Sequence, residues 1–158
     1  MAHVLSSSLH LPRPRDEVFP FFADAFNLER ITPPQLRFQI LSAAPVRMEV
    51  GTRIHYRLSL FRVPFSWVTV ISEWDPPNRF VDEQLRGPYR SWVHTHEFIA
   101  EGDATRVHDR VEYELPLWPF GEISYPMVRY QLDRIFRFRS DSIRALLLEE
   151  GDAGASRV

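Results

Sequence analysis

Two histidines spaced one residue apart, His94 and His96 in SWVHTHEF, are the side chains whose chemistry stands out first. Alternate residues of a strand share one face, so both imidazoles point the same way. Trp92 and Phe98 bracket them and mark that face as inward. Carboxylates belong to neighbouring segments. In TRVHDRVEYEL, Asp109 shares the face of Val107, Val111, Tyr113 and Leu115. In RFVDEQLR, Asp82 and Gln84 point inward if Phe80 does, and face water if Val81 and Leu85 take the core side. Tyr56 follows Ile54 and precedes Leu58 and Leu60 on the inner face of an earlier segment. Arg139 sits on a helical stripe, four residues after Ile135 and four before Ile143.

Polar groups on an apolar face cost several kcal/mol unless each finds a partner. Three arrangements satisfy that demand. In one, Asp82, Asp109, Arg139 and the histidines form an internal ion-pair network. In another, the polar groups converge on an apolar cavity that holds a small molecule. In the third, His94, His96 and Asp109 ligate a metal, since His-x-His plus a cross-strand carboxylate is acceptable ligand geometry. His-x-His alone is a nonspecific spacing, so no metal and no other cofactor is expected, and the cavity is the favoured reading. His94, His96 and Asp109 are the candidates for any catalysis. An imidazole near its ordinary pKa of ~6.5 suits proton transfer at neutral pH.

The elements that must position these residues follow from periodicity. Residues from about His3 to Leu11 alternate as a strand. The stretch from Arg15 to about Ile31 reads as one or two short helices, stopped by Thr32-Pro33-Pro34. From Arg37 to Leu115 the period is two, broken by turns at Val50-Gly51, Val63-Pro64, Asp75-Pro76-Pro77-Asn78, Gly87-Pro88 and Glu101-Gly102-Asp103. Six short strands with tight turns make an antiparallel meander. A helix from about Met127 to Glu149 repeats Val128, Leu132, Ile135, Phe136, Ile143, Leu146 and Leu147 at helical spacing. Such a sheet, bent around one long helix, buries both apolar surfaces. Residues 1–150 read as a single domain, and GDAGASRV at 151–158 as a disordered tail.

Composition narrows the chemistry. All 19 basic residues other than histidine are arginine, and there is no cysteine. Thiolate nucleophiles, thiolate metal sites, Schiff-base lysines and phosphate-loop lysines are therefore excluded. A net charge of -2 with arginines spread along the chain gives no basic face for nucleic acid. No targeting segment and no apolar run of ~18 residues is found, so a cytoplasmic protein without stable membrane insertion is expected. Trp67, Trp74 and Trp118 read as core or rim packing, and His55 and His108 as solvated. Phe120 and Tyr125 read as loop anchors or as a gate.

The element order, with GTRIHYRL, the tract WDPPNRFVDEQLRGPYRSWVHTHEF, then TRVHDRVEYELP and a terminal helix containing IFRFR, resembles the helix-grip superfamily. This is the START-like or SRPBCC group, and the resemblance extends to its small bacterial polyketide cyclase/dehydrase-like ligand-binding proteins. It covers about Val4 to Leu148. It implies an α+β fold in which a seven-stranded antiparallel sheet curves around the long C-terminal helix, with two short helices after the first strand. It also implies a largely apolar cavity between sheet and helix, and it supports the inward phase for Phe80, Asp82 and Gln84.

The expected function is binding of a hydrophobic small molecule such as a lipid, an isoprenoid or a polyketide-like compound, by a carrier or sensor acting as monomer or homodimer. The expected wall comprises Tyr56, Asp82, Gln84, Trp92, His94 and His96 together with Phe98, Asp109 and Tyr113 from the sheet. Leu132, Ile135 and Arg139 face them from the helix. The alternative is a cyclase, dehydrase or isomerase that uses the inward His and Asp for proton transfer, although no aromatase-specific signature is present.

Overall fold

The alternation seen in the sequence becomes seven strands in the computed structural model, which describes the backbone of residues 1–155 and the side chains of residues 1–149. Strand β1 (Ala2–Leu11) leads into α1 (Arg15–Ala23) and α2 (Asn27–Arg30). Acidic Asp16 and Glu17 occupy the first turn of α1, where the helix dipole favours them. The meander follows as β2 (Gln39–Ile40), β3 (Arg53–Leu60), β4 (Val63–Asp75), β5 (Arg79–Arg86), β6 (Ser91–Glu101) and β7 (Ala104–Glu114). All neighbours are antiparallel, and the order across the sheet is β1-β7-β6-β5-β4-β3-β2. The long helix α3 (Tyr125–Ala155) lies against this sheet.

Two boundaries differ from the sequence reading. The segment RFQILSA keeps only Gln39–Ile40 as strand. Pro34–Leu36 winds into a 3₁₀ turn that leaves Arg37 left-handed at φ 47°, which delays pairing. At the other end, α3 continues past Glu149, so residues 151–155 are helical. Residues 156–158 of the expected tail lie outside the described residues.

Burial alternates along the inner strands. On β6, Trp92, His94, His96 and Phe98 are buried; on β7, Thr105, Val107, Asp109, Val111 and Tyr113 are. On β5 the inward phase is that of Phe80, with Leu85 left 52% exposed. Register shifts within the β4–β5 pair, between Val68/Thr69 and between Ile71/Glu73, are bulges of the kind that bend a sheet.

The apolar core falls into clusters separated by the polar residues. One cluster packs α1 residues Val18, Phe19 and Phe21 against Phe80, Phe98, Val107 and the α3 residues Ile143 and Leu147. Another joins Leu5, Trp67, Trp92, Val111 and Tyr113 to Leu132 and Phe136 of α3. Along β6, His94 and His96 lie between Trp92 of one cluster and Phe98 of the other. Along α3, Arg139 lies between Phe136 and Ile143. The polar side chains thus occupy a belt midway along the helix.

Candidate functional site

Adjacent strands and their register build the site. Asp82 on β5 is opposite His94 on β6, and His96 on β6 is opposite Asp109 on β7. The four side chains form a square on the concave face whose shortest contacts include both diagonals. His96 Nε2 is 2.8 Å from Asp82 Oδ2, and His94 Nε2 is 3.1 Å from Asp109 Oδ1. His96 Nδ1 lies 2.8 Å from that same Asp109 oxygen, and His94 Nδ1 lies 3.8 Å from Asp82 Oδ2. The two imidazoles pack with centroids 3.8 Å apart. Phe80 stacks on His96 at 4.2 Å, while Phe136 contacts His94 at 5.7 Å.

The square gives its two histidines opposite proton affinities. For His96, burial disfavours the charged ring, but bonds to Asp109 and Asp82 and their charges outweigh it and push the pKa up to about 9. For His94, burial and then the His96 charge hold the pKa below the usual histidine value, despite both aspartates. A carboxylate only accepts, so neutral His94 donates Nε2–H to Asp109 and keeps its lone pair on Nδ1. Burial works to raise both aspartates, yet contacts with the histidines hold Asp82 and Asp109 below the ordinary carboxylate range. Thr69 Oγ1 donates to Asp82 Oδ1 at 3.4 Å.

The square forms part of the wall of a partly open cavity of about 140 Å³. That is room for on the order of ten water-sized volumes, so side chains do not fill it. Phe21, Leu28 and Ile31 close it from the α1–α2 side. Leu58, Trp67 and Ile71 line it from β3 and β4, and Leu132, Ile135 and Phe136 from α3. Three buried nitrogens of wall residues, Trp67 Nε1, Arg139 Nε and His96 Nδ1, make no hydrogen bond within the protein, although His96 Nδ1 has the Asp109 carboxylate 2.8 Å away. The Arg139 guanidinium lies over the Phe136 ring at 5.1 Å and forms no ion pair among the described residues. Tyr56 stacks on Trp67 with centroids 5.6 Å apart; burial, then the Asp82 charge, raises its hydroxyl well above the usual tyrosine value.

Most residues singled out from the sequence meet at this wall: Tyr56, Asp82, Trp92, His94, His96, Asp109, Leu132, Ile135 and Arg139. Three do not. Gln84 turns its amide to the β5–β6 loop, donating to Tyr89 O at 2.8 Å and accepting from Tyr89 N at 3.3 Å. Phe98 packs edge-on to Phe19 and Phe22 at 5.0 and 5.1 Å and is 2% exposed, inside the core beyond the cavity. Tyr113 is 1% exposed among Leu5, Trp92 and Leu115, too deep in its cluster to reach the cavity. The internal network and the cavity coexist, but Arg139 stays outside the network.

Other expectations resolve as follows. Tyr125 anchors its loop by stacking on His3 at 4.0 Å, whereas Phe120 is 74% exposed; neither lines the cavity. Trp74 packs on Phe19 and Phe80, and Trp118 is exposed. His55 is exposed and His108 half-buried. The sequence reading missed Trp67, Thr69 and Tyr89 as wall residues. The alternation Trp67, Thr69, Ile71 carries a hydroxyl on the inner face of β4 and was the available signal for the first two.

Comparison with known proteins places this architecture. The chain superposes on TTHA0849 from Thermus thermophilus with a TM-score of 0.71 at 21% identity, covering 94% of this chain and 99% of that one. For the Zhui aromatase/cyclase from Streptomyces sp. R1128 the TM-score is 0.74 at 12% identity, with 93% and 94% covered. A START superfamily protein from Mycobacterium smegmatis gives 0.71 at 11% identity, with 93% and 98% covered. At such identities the likeness speaks for the helix-grip fold. A sequence comparison with curated proteins finds no match. The family model described as polyketide cyclase / dehydrase and lipid transport matches residues 11–136, from the end of β1 to the middle of α3. With the curved seven-stranded sheet, the long helix and the family model in agreement, the chain belongs to the polyketide cyclase/dehydrase and lipid transport family.

Proposed function

We propose that this protein binds a small, mainly apolar molecule bearing a hydrogen-bond-accepting or anionic group in the cavity between sheet and α3, as a carrier or sensor. The observation that carries the reading is the pair of buried donors outside the histidine–aspartate square on a largely apolar wall, Trp67 Nε1 and Arg139 Nε, neither bonded within the protein. A buried donor left alone costs about 1–3 kcal/mol, a cost that an acceptor on the ligand removes. Burial of the ligand's apolar surface supplies affinity at about 25 cal/mol per Å² before the costs of association. The family description, which names lipid transport beside cyclase and dehydrase chemistry, is compatible with it.

Organic extraction of protein from its native host, followed by mass spectrometry, tests the reading directly. Anilinonaphthalene sulfonate, an apolar anion, is a suitable probe of the same space. It should bind in the cavity, and Arg139→Met should weaken it about tenfold, the effect of losing roughly 1.4 kcal/mol. An empty extract together with unchanged probe affinity in Arg139→Met sinks the proposal.

A second reading is favoured by one observation, the depressed His94 with its lone pair on Nδ1 at the cavity wall. That nitrogen is placed to act as a general base on an enolisable ligand, with Arg139 near the developing oxyanion. Turnover of an enolisable ketone that survives His94→Ala would exclude this role.

A further inference from the structure

The square of histidines and aspartates has a property that neither ligand anchoring nor a salt-bridge network requires: its two faces differ. We propose that Asp82 Oδ2, His94 Nδ1 and His96 Nε2 form a site for one divalent first-row transition ion, of the zinc or ferrous class, at the cavity wall. Candidate ligand atoms of these three residues all lie within 4.8 Å of one another. Asp82 Oδ2 is 2.8 Å from His96 Nε2 and 3.8 Å from His94 Nδ1. Bonds of about 2.1 Å to such an ion hold neighbouring ligand atoms about 3.0–3.4 Å apart, inside the range these two contacts span.

The opposite face supplies the orientation that metal-binding histidines use. Of the far nitrogens, His94 Nε2 hydrogen-bonds Asp109 Oδ1 at 3.1 Å, while His96 Nδ1 lies 2.8 Å from the same oxygen as an ion-pair contact out of hydrogen-bond alignment. A carboxylate behind each ring fixes which nitrogen points at the ion and raises its basicity. Thr69 holds the other oxygen of Asp82, and Phe80 stacks on His96, so the ligand atoms are held from behind. Charge fits as well: two carboxylates neutralise a dication with both imidazoles uncharged. Two nitrogens and one oxygen exclude the all-oxygen preference of magnesium and calcium, and a chain without cysteine offers no softer alternative.

The proposed set differs from the His94, His96 and Asp109 set considered from sequence. Asp109 shares its strand face with the core and faces His96 across the ladder, which suggested it as a ligand. The diagonal contacts instead make Asp82 the third ligand and Asp109 the support. Because all three ligands line the cavity, an ion there is within reach of a bound molecule's oxygen. Occupied by an ion, His94 Nδ1 is no longer available as a base, so the two roles exclude one another.

The test uses the full-length protein, stripped with a chelator, and cobalt(II) or zinc(II) alone with no organic molecule present. One equivalent of cobalt(II) should develop visible d–d bands, and one equivalent of zinc(II) should abolish them. Asp82→Asn and His94→Asn should each weaken zinc binding at least about 100-fold. Asp109→Asn should weaken it about 10–100-fold as a support of the ligands. His10→Ala, on the outer surface, should leave it unchanged. Absence of saturable one-equivalent binding in the wild-type protein overturns the proposal, even if a variant fails to fold. So does binding that persists at wild-type affinity in Asp82→Asn and His94→Asn. Neither failure touches ligand extraction, which reads the cavity independently.

Discussion

Replacing Asp109 by asparagine keeps the size of the side chain and removes the charge on which both imidazoles rest. The magnitude follows from His96, whose pKa rises from 6.5 to about 9 on folding. A group with a raised folded pKa stabilises the protein fully below its unfolded value and loses that contribution as the pH climbs through the folded value. About 2.5 units at ~1.36 kcal/mol each amount to roughly 3 kcal/mol below pH 6.5, of which about 2 kcal/mol remains at pH 7.5. Wild-type protein, chelator-treated, should therefore lose about 2 kcal/mol between pH 7.5 and 10. Burial holds the hydroxyls of Tyr56, Tyr89 and Tyr113 above the usual tyrosine value, so these groups add to the loss near pH 10, and the difference between wild type and Asp109→Asn isolates the histidine contribution. In Asp109→Asn only Asp82 still holds the ring, so at least half of that dependence should vanish. At about 2–4 °C per kcal/mol for a chain of this size, the variant should melt some 2–8 °C below wild type at pH 7.5. Circular dichroism melts at the two pH values measure both quantities, and an NMR titration of His96 reads the pKa. A variant melting within 1 °C of wild type, or a wild type equally stable at both pH values, refutes the electrostatic reasoning.

Other substitutions separate wall from core. Phe98→Ala should cost about 3–5 kcal/mol by chemical denaturation, because it opens a void among Phe19, Phe22 and Phe80. Affinity for anilinonaphthalene sulfonate, measured by fluorescence on the folded variant, should change less than threefold. Arg139→Met should melt at or above the wild-type temperature, since it removes a buried donor with no partner, while binding the anionic probe more weakly. Gly87→Ala should cost about 1–2 kcal/mol in denaturant titration: a β-carbon there collides with the Gln84 amide and displaces two hydrogen bonds to Tyr89.

Local patterns carried much of this protein. Side-chain alternation and turn residues specify the strands β3 to β7, because one face of each must leave water and a shift by one residue exposes the whole apolar set. The same alternation placed His94, His96 and Asp109 on the inner face and left Asp82 open between two phases, which the family resemblance resolved inward, and the helical stripe placed Arg139 opposite them. Composition limited the available chemistry to histidine, carboxylate, tyrosine and arginine. Where the pattern was short or its end ill-marked, at β2 and at the C-terminus of α3, the sequence reading missed the boundary.

What tertiary structure alone decided was contact. Sequence alternation says that Phe98 and Tyr113 point inward, and Gln84 with them once β5 takes the phase of Phe80, but inward holds both core and cavity. Only the packing of α1 against the β5–β7 end separates Phe98 from His96, two residues away. Register between strands gave Asp82 and Asp109 different contacts with the two histidines, since diagonal distances depend on how far three strands slide past one another. The distance from Arg139 to the aspartates depends on the depth and rotation of α3 in the sheet. Those quantities come from the sum of all contacts, so no local stretch of residues encodes them, and they determine whether a buried charge meets a partner or faces a cavity.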